Sequence, residues 1–145
     1  MFGLTKPKIN KKNSTIIKIF LAFCLLFFLV YTTSSGKFRL GNVVLCRNLD
    51  KDAVPIDIVG DEMKPSDRII LVFDYSHANV GQTLNIAWYY NDKQITNDQV
   101  KLNRTEGQRR LALLSNNGAT LPKGAYCVKI SIGDKLLKQI SFVIS

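Results

Sequence analysis

The stretch Thr83 to Tyr90 reads TLNIAWYY, and its side chains alternate in character. Leu84, Ile86, Trp88 and Tyr90 fall on one side of an extended chain, while Thr83, Asn85, Ala87 and Tyr89 fall on the other. Successive side chains of a strand point to opposite faces, whereas apolar positions of a helix recur every three or four residues. The pattern therefore predicts a half-buried strand. The same period of two returns across residues 38–145, broken by turn residues rather than by any helical period.

Phe38 to Arg47 is the first strand expected, and Ile56 to Val59 is a short second piece after Pro55. In Arg68 to Tyr75, Ile69, Leu71, Phe73 and Tyr75 share one face. Ile70 and Val72 occupy the other, so this strand is expected to be covered on both sides. Asn91-Asp92-Lys93 predicts a turn, because Asn and Asp tolerate left-handed backbone, and Gln94 to Thr96 returns from it. Gln99 to Leu102 reads as an edge strand within a polar stretch, and Arg110 to Ser115 as a further strand stopped by Asn116-Asn117-Gly118. Tyr126 to Ile132 and Leu136 to Ile144 form a hairpin across Gly133-Asp134. Seven or eight such strands predict an all-β fold, an antiparallel β-sandwich.

The N-terminus has a different character. Residues 1–18 hold five lysines and no acid, and Ile16 to Tyr31 reads IIKIFLAFCLLFFLVY. Sixteen helical residues span about 24 Å at about 1.5 Å each, against a bilayer core of about 30 Å. Lys18 can snorkel to the headgroups, and Thr32 to Ser35 carry no charge, so a span is feasible. The expected organisation is a basic cytoplasmic tail (1–15), a transmembrane signal-anchor helix (16–31), a linker reading TTSSGK (32–37) and an extracytoplasmic domain (38–145). A cleaved signal peptide stays open as the alternative, with Thr33-Ser34-Ser35 as a weak small-residue cleavage site. The lysines orient the segment, since positive residues stay on the cytoplasmic side. That expectation makes the chain a single-pass membrane protein with its C-terminal domain periplasmic or extracellular. Leu21-Ala22-Phe23-Cys24 faintly resembles a lipidation box, but Phe23 is too large and Leu25 to Val30 continue the apolar run. Cys24 reads instead as a thiol buried in a membrane helix.

Of the net charge of +9, residues 1–18 carry five units, and beyond them fifteen basic residues against eleven acids leave +4. The basic residues there are scattered, with Arg109-Arg110 the one adjacent pair, so no nucleic-acid partner is expected. The sole histidine, His77, lies in Asp74-Tyr75-Ser76-His77. Neighbours along a strand point apart, so this run is expected to be a solvated turn rather than a converging triad. No cysteine pair has zinc-ligand spacing, and Asp57, Asp61 and Glu62 lack the glycine-punctuated calcium-loop pattern. No catalytic, cofactor-binding or metal-binding residue is therefore expected. Asn103-Arg104-Thr105 matches a glycosylation sequon, a short pattern common by chance. Tyr89, opposite Trp88 by alternation and close to Asn85 and Asn91, is the candidate binding surface.

Trp88 in mid-strand, together with Leu121-Pro122-Lys123-Gly124-Ala125-Tyr126, resembles an immunoglobulin-like or fibronectin-III-like sandwich. The order Cys46, Pro65-Ser66-Asp67, Gly81, Ala87-Trp88-Tyr89-Tyr90 and LPKGAY is similar to small bacterial extracytoplasmic modules of that kind. The resemblance covers about residues 40 to 145 and implies a core tryptophan at Trp88 and a tyrosine corner at Tyr126. The family's inter-sheet disulfide places a cysteine two residues after that tyrosine, whereas Cys127 follows Tyr126 directly. That bridge is not carried over. A bond from Cys127 to Cys46 across neighbouring strands and a pair of separate thiols both remain open.

The expected function is that of a membrane-anchored module for protein interaction or envelope structure, without chemistry of its own. The alternative is a secreted small-ligand or carbohydrate-binding module released by signal cleavage.

Overall fold

The computed structural model describes residues 36–145. The expected tail, membrane helix and most of the linker lie outside the described residues. Among the described residues no helix is long and apolar enough to cross a membrane.

Nine strands follow in order: β1 (Arg39–Leu49), β2 (Pro55–Ile58), β3 (Glu62–Met63), β4 (Arg68–Ser76), β5 (Thr83–Tyr90), β6 (Lys93–Lys101), β7 (Gly107–Leu114), β8 (Gly124–Ile132) and β9 (Lys135–Ile144). They form two sheets, ordered β2-β1-β4-β7 and β3-β9-β8-β5-β6. The sheets face each other across one core. The alternation in β4 and β5 makes it: Ile69, Leu71, Phe73 and Tyr75 point in from one sheet, and Leu84, Ile86 and Trp88 from the other. Trp88 is fully buried.

The nine strands differ from the expected seven or eight in two local ways, one strand longer than read and one unread. β6 runs without interruption from Lys93 to Lys101, joining the short strands read at 94–96 and 99–102 across Asn97-Asp98. It is the last strand of its sheet, so its outer residues face water and need no apolar pattern. β3 has two residues, too few for any period, and pairs in parallel with β9 through Glu62↔Val143 and Met63↔Ile144. The chain reaches it by changing sheets. Val59 N–H donates to Leu45 O on the first sheet (2.8 Å), and two residues later Asp61 O accepts from Val143 N–H on the second (2.9 Å). Met63 is thereby buried in the core.

Asn91 and Asp92 connect β5 to β6 with φ of 45° and 64°, the left-handed pair that a tight hairpin turn requires. Gly124, at φ 148°, opens β8 where a Cβ would stand 2.7 Å from the Tyr90 ring and 2.9 Å from Asn91 Oδ1. That close approach admits only glycine.

Candidate functional site

Three surfaces are distinct enough to be weighed: the outer face of each sheet, and the open end between β6 and β7.

On the five-stranded sheet, Tyr89 lies opposite Cys127 on β8, and Asn85 lies opposite Ser131. Tyr89 and Asn85 therefore share the outer face, both half-buried. The Tyr89 hydroxyl donates to Gln94 Oε1 (3.3 Å), and the Lys129 ammonium sits 4.6 Å from the ring centre. One face of this ring is already covered by a cation. Asn91 does not join them. Its Oδ1 accepts from Ala125 N–H (3.0 Å) and its own N–H donates to Ala125 O (2.8 Å). Both groups are occupied in locking the turn to the start of β8, so the expected trio reduces to Tyr89 and Asn85.

The other outer face carries an apolar patch, bordered by Arg110 opposite Val72 and by Gln108 opposite Asp74. Register places Ile58, Cys46, Ile70 and Ala112 in one row across β2, β1, β4 and β7, beside the Val44–Val72 pair. Cys46 and Val72 are fully covered by their neighbours, while Ile58 and Leu114 are 59% and 63% exposed. Burial raises the Cys46 thiol pKa, with the Asp57 carboxylate adding to the effect and a backbone hydrogen bond from Ile56 opposing it. Sequence reading anticipated cover on both faces of β4, yet it did not anticipate that this face continues as an exposed patch onto β2 and β7.

Of the two readings left open for Cys46 and Cys127, the structure has the separate thiols. They are not on neighbouring strands. Cys46 lies on β1 and Cys127 on β8, in different sheets, and each points away from the core. Stacked sheets stand about 10 Å apart, whereas a disulfide needs Cα atoms within about 7 Å.

At the open end, a cleft of about 530 Å³ lies between the free edges of β6 and β7. Its floor is built by the tyrosine corner. Tyr126 OH donates to Pro122 O and Tyr90 OH to Lys123 O, both at 2.9 Å. The Tyr126 ring stacks on Phe142 with centroids 5.4 Å apart. Burial and the neighbouring Tyr90 raise the Tyr126 pKa. Leu113, Leu114, Leu121 and Ile95 line the walls, and Asp98 projects into the cleft from β6. Among the described residues Asp98 forms no salt bridge. Leu113, Leu114 and Leu121 fall in the strand and the LPKGAY run read from the sequence, whereas Asp98 falls between the two short strands read on either side of it.

His77 sits exposed on a turn at φ 57°, with Nδ1 3.2 Å from Ser76 Oγ. Asp74 Oδ1 accepts instead from Gln108 Nε2 (3.1 Å), so no Ser-His-Asp relay is assembled. Asp57 accepts from Asn48 Nδ2 (3.0 Å), and Glu62 accepts from the Ser145 hydroxyl. Among the described residues no cluster of His, Cys, Asp or Glu is placed to hold a metal ion.

No protein-family model and no curated protein matches the chain. Among solved structures it is similar to an immunoglobulin-like protein from Pseudomonas aeruginosa, with a TM-score of 0.56 and 13% identity, over 77% of this chain and 99% of that one. A β-glucosidase variant from Listeria innocua aligns with a TM-score of 0.43 and 7% identity, over 75% of this chain and 16% of the enzyme. The chain thus spans about a sixth of that enzyme's length. The first likeness establishes an immunoglobulin-like fold for the described residues, as the Trp88 and LPKGAY pattern implied.

Proposed function

We propose that this chain is a non-enzymatic, single-pass membrane protein that displays one immunoglobulin-like domain outside the membrane to bind another protein. The observation that carries the interaction reading is the apolar outer face of the four-stranded sheet. Ile56, Ile58 and Leu114 are exposed around the covered pair Cys46 and Val72. A contiguous apolar surface of this kind costs solubility unless a partner covers it. The lysine-rich tail and the apolar run from Ile16 to Tyr31 support the anchored, extracytoplasmic placement.

The test is site-specific photo-crosslinking in native membranes, with the probe at Ile58 and, as control, at Gln139 on the opposite sheet's outer face. A discrete protein adduct from position 58, absent from position 139 and lost in Leu114→Lys, is the expected result. Equal, diffuse labelling from both positions would refute the reading.

A further inference from the structure

The cleft between β6 and β7 combines three features that no other surface of the described residues brings together. First, β7 ends its sheet, so every second residue turns an unpaired N–H and C=O outward. Its pairing with β4 runs through eight successive residues from Arg68↔Leu114 to Tyr75↔Gly107 without a register shift, so the free edge is regular. The facing edge of β6 is different. A register shift between Trp88 and Tyr89 leaves Ile95 as an extra residue, and bulges of this kind disrupt pairing. Second, the cleft has an apolar end, where Leu113 and Leu121 meet the Tyr126 ring. Third, its other end carries Asp98, a half-buried carboxylate aimed inward and without an ion-pair partner among the described residues.

We propose that this cleft takes an extended peptide segment of a partner protein, which adds to the free edge of β7 as a further antiparallel or parallel strand. Main-chain hydrogen bonds to β7 supply the affinity, and inward-pointing side chains supply the selection. Alternate residues of a strand recur at about 7 Å. An aliphatic side chain then reaches the Leu113–Leu121–Tyr126 end, and a lysine or arginine two residues away reaches Asp98. The preferred ligand is an extended segment with an apolar residue, one intervening residue and a basic residue. Charge complementarity with Asp98 selects such a basic segment over an acidic or uncharged one. The cleft and the apolar outer face of the same sheet meet at Leu114 but are probed at different residues, Asp98 and Ile58, so either can fail without the other.

The test uses the full chain in detergent micelles and two fluorescein-labelled octapeptides that alternate threonine with inward valines. One peptide carries lysine, the other glutamate, at the same inward position. Anisotropy is expected to show the lysine peptide binding at least tenfold more tightly, and Asp98→Lys to reverse that order. A diazirine on the neighbouring valine is expected to label Leu113 or Leu121. Equal affinity for the two peptides, no binding by either up to millimolar concentration, or labelling at Val44 or Ile58 would each overturn the proposal. So would a concentration-dependent dimer of the unliganded chain that Asp98→Lys abolishes, since a second copy would then be the occupant.

Discussion

Along one side of the sandwich, the chain leaves β2 at Ile58, changes sheets through Val59 to Asp61, and lies down as β3 beside β9. Along the other side, β6 and β7 each end a sheet with no strand beside them. The first side is sealed by backbone hydrogen bonds and by Met63. The second is guarded only by side chains. β6 and β7 point Asp98 and Arg109 inward, and Lys93 and Lys101 bound β6 at its ends. Inward charges, lysines and bulges discourage edge-to-edge pairing with the wrong chain. The contrast teaches that closure here is a choice made strand by strand. A fold able to cover an edge with two residues leaves another edge of eight uncovered.

If the sealed side is structural, Met63→Ala should cost the most, about 2–5 kcal/mol in urea unfolding, because a buried core side chain is removed with little room to relax. A loss below 1 kcal/mol would mean that β3 is a loose strap. Tyr126→Phe probes the floor of the open side. It removes the bond to Pro122 O and should cost about 1 kcal/mol. Alkaline titration then separates the two sides. Burial raises the Cys46 pKa above its ordinary 9.0 and the Tyr126 pKa above its ordinary 10.0. The unfolded chain ionises these groups first, so their contribution is level below about pH 9 and falls as pH rises further. In a series of urea midpoints against pH, Cys46→Ser should delay the onset of that fall, and Tyr126→Phe should soften its later part. The smallest effect is expected at the open edge. Asp98→Val should leave stability within about 0.5 kcal/mol, as for most surface changes, yet increase self-association in light scattering. Unchanged scattering would mean that the inward charge is not what guards β6.

What the sequence makes legible is whatever depends on neighbours along the chain. Thr83 to Tyr90 spans the same residues in both readings, because one buried and one partly exposed face impose a strict period of two. LPKGAY announces its corner, because the hydroxyl partner lies only four residues upstream. Features set by position in a sheet are not legible. The edge location of β6 lets Asn97-Asp98-Gln99 stay polar, and β3 owes its existence to β9, about eighty residues later, rather than to its own two side chains. The choice between a Cys46–Cys127 bond and separate thiols stayed open for the same reason. Alternation tells which face Cys127 takes, but not that Cys46 belongs to the opposite sheet. Asn91 had the residue type of a ligand contact and is consumed by the turn it also helps to form.

The parallel match of β3 to β9 also sets an order in time. β9 lies between β3 and β8 in its sheet, so residues 62 and 63 have nothing to pair with until residues 143 and 144 have been synthesised. Until residues 143 and 144 emerge, that seam stays unsewn. Contacts this distant in sequence form slowly, on the scale of milliseconds to seconds. Loss of only the final few residues should therefore trap the whole domain half-finished, out of proportion to the number removed.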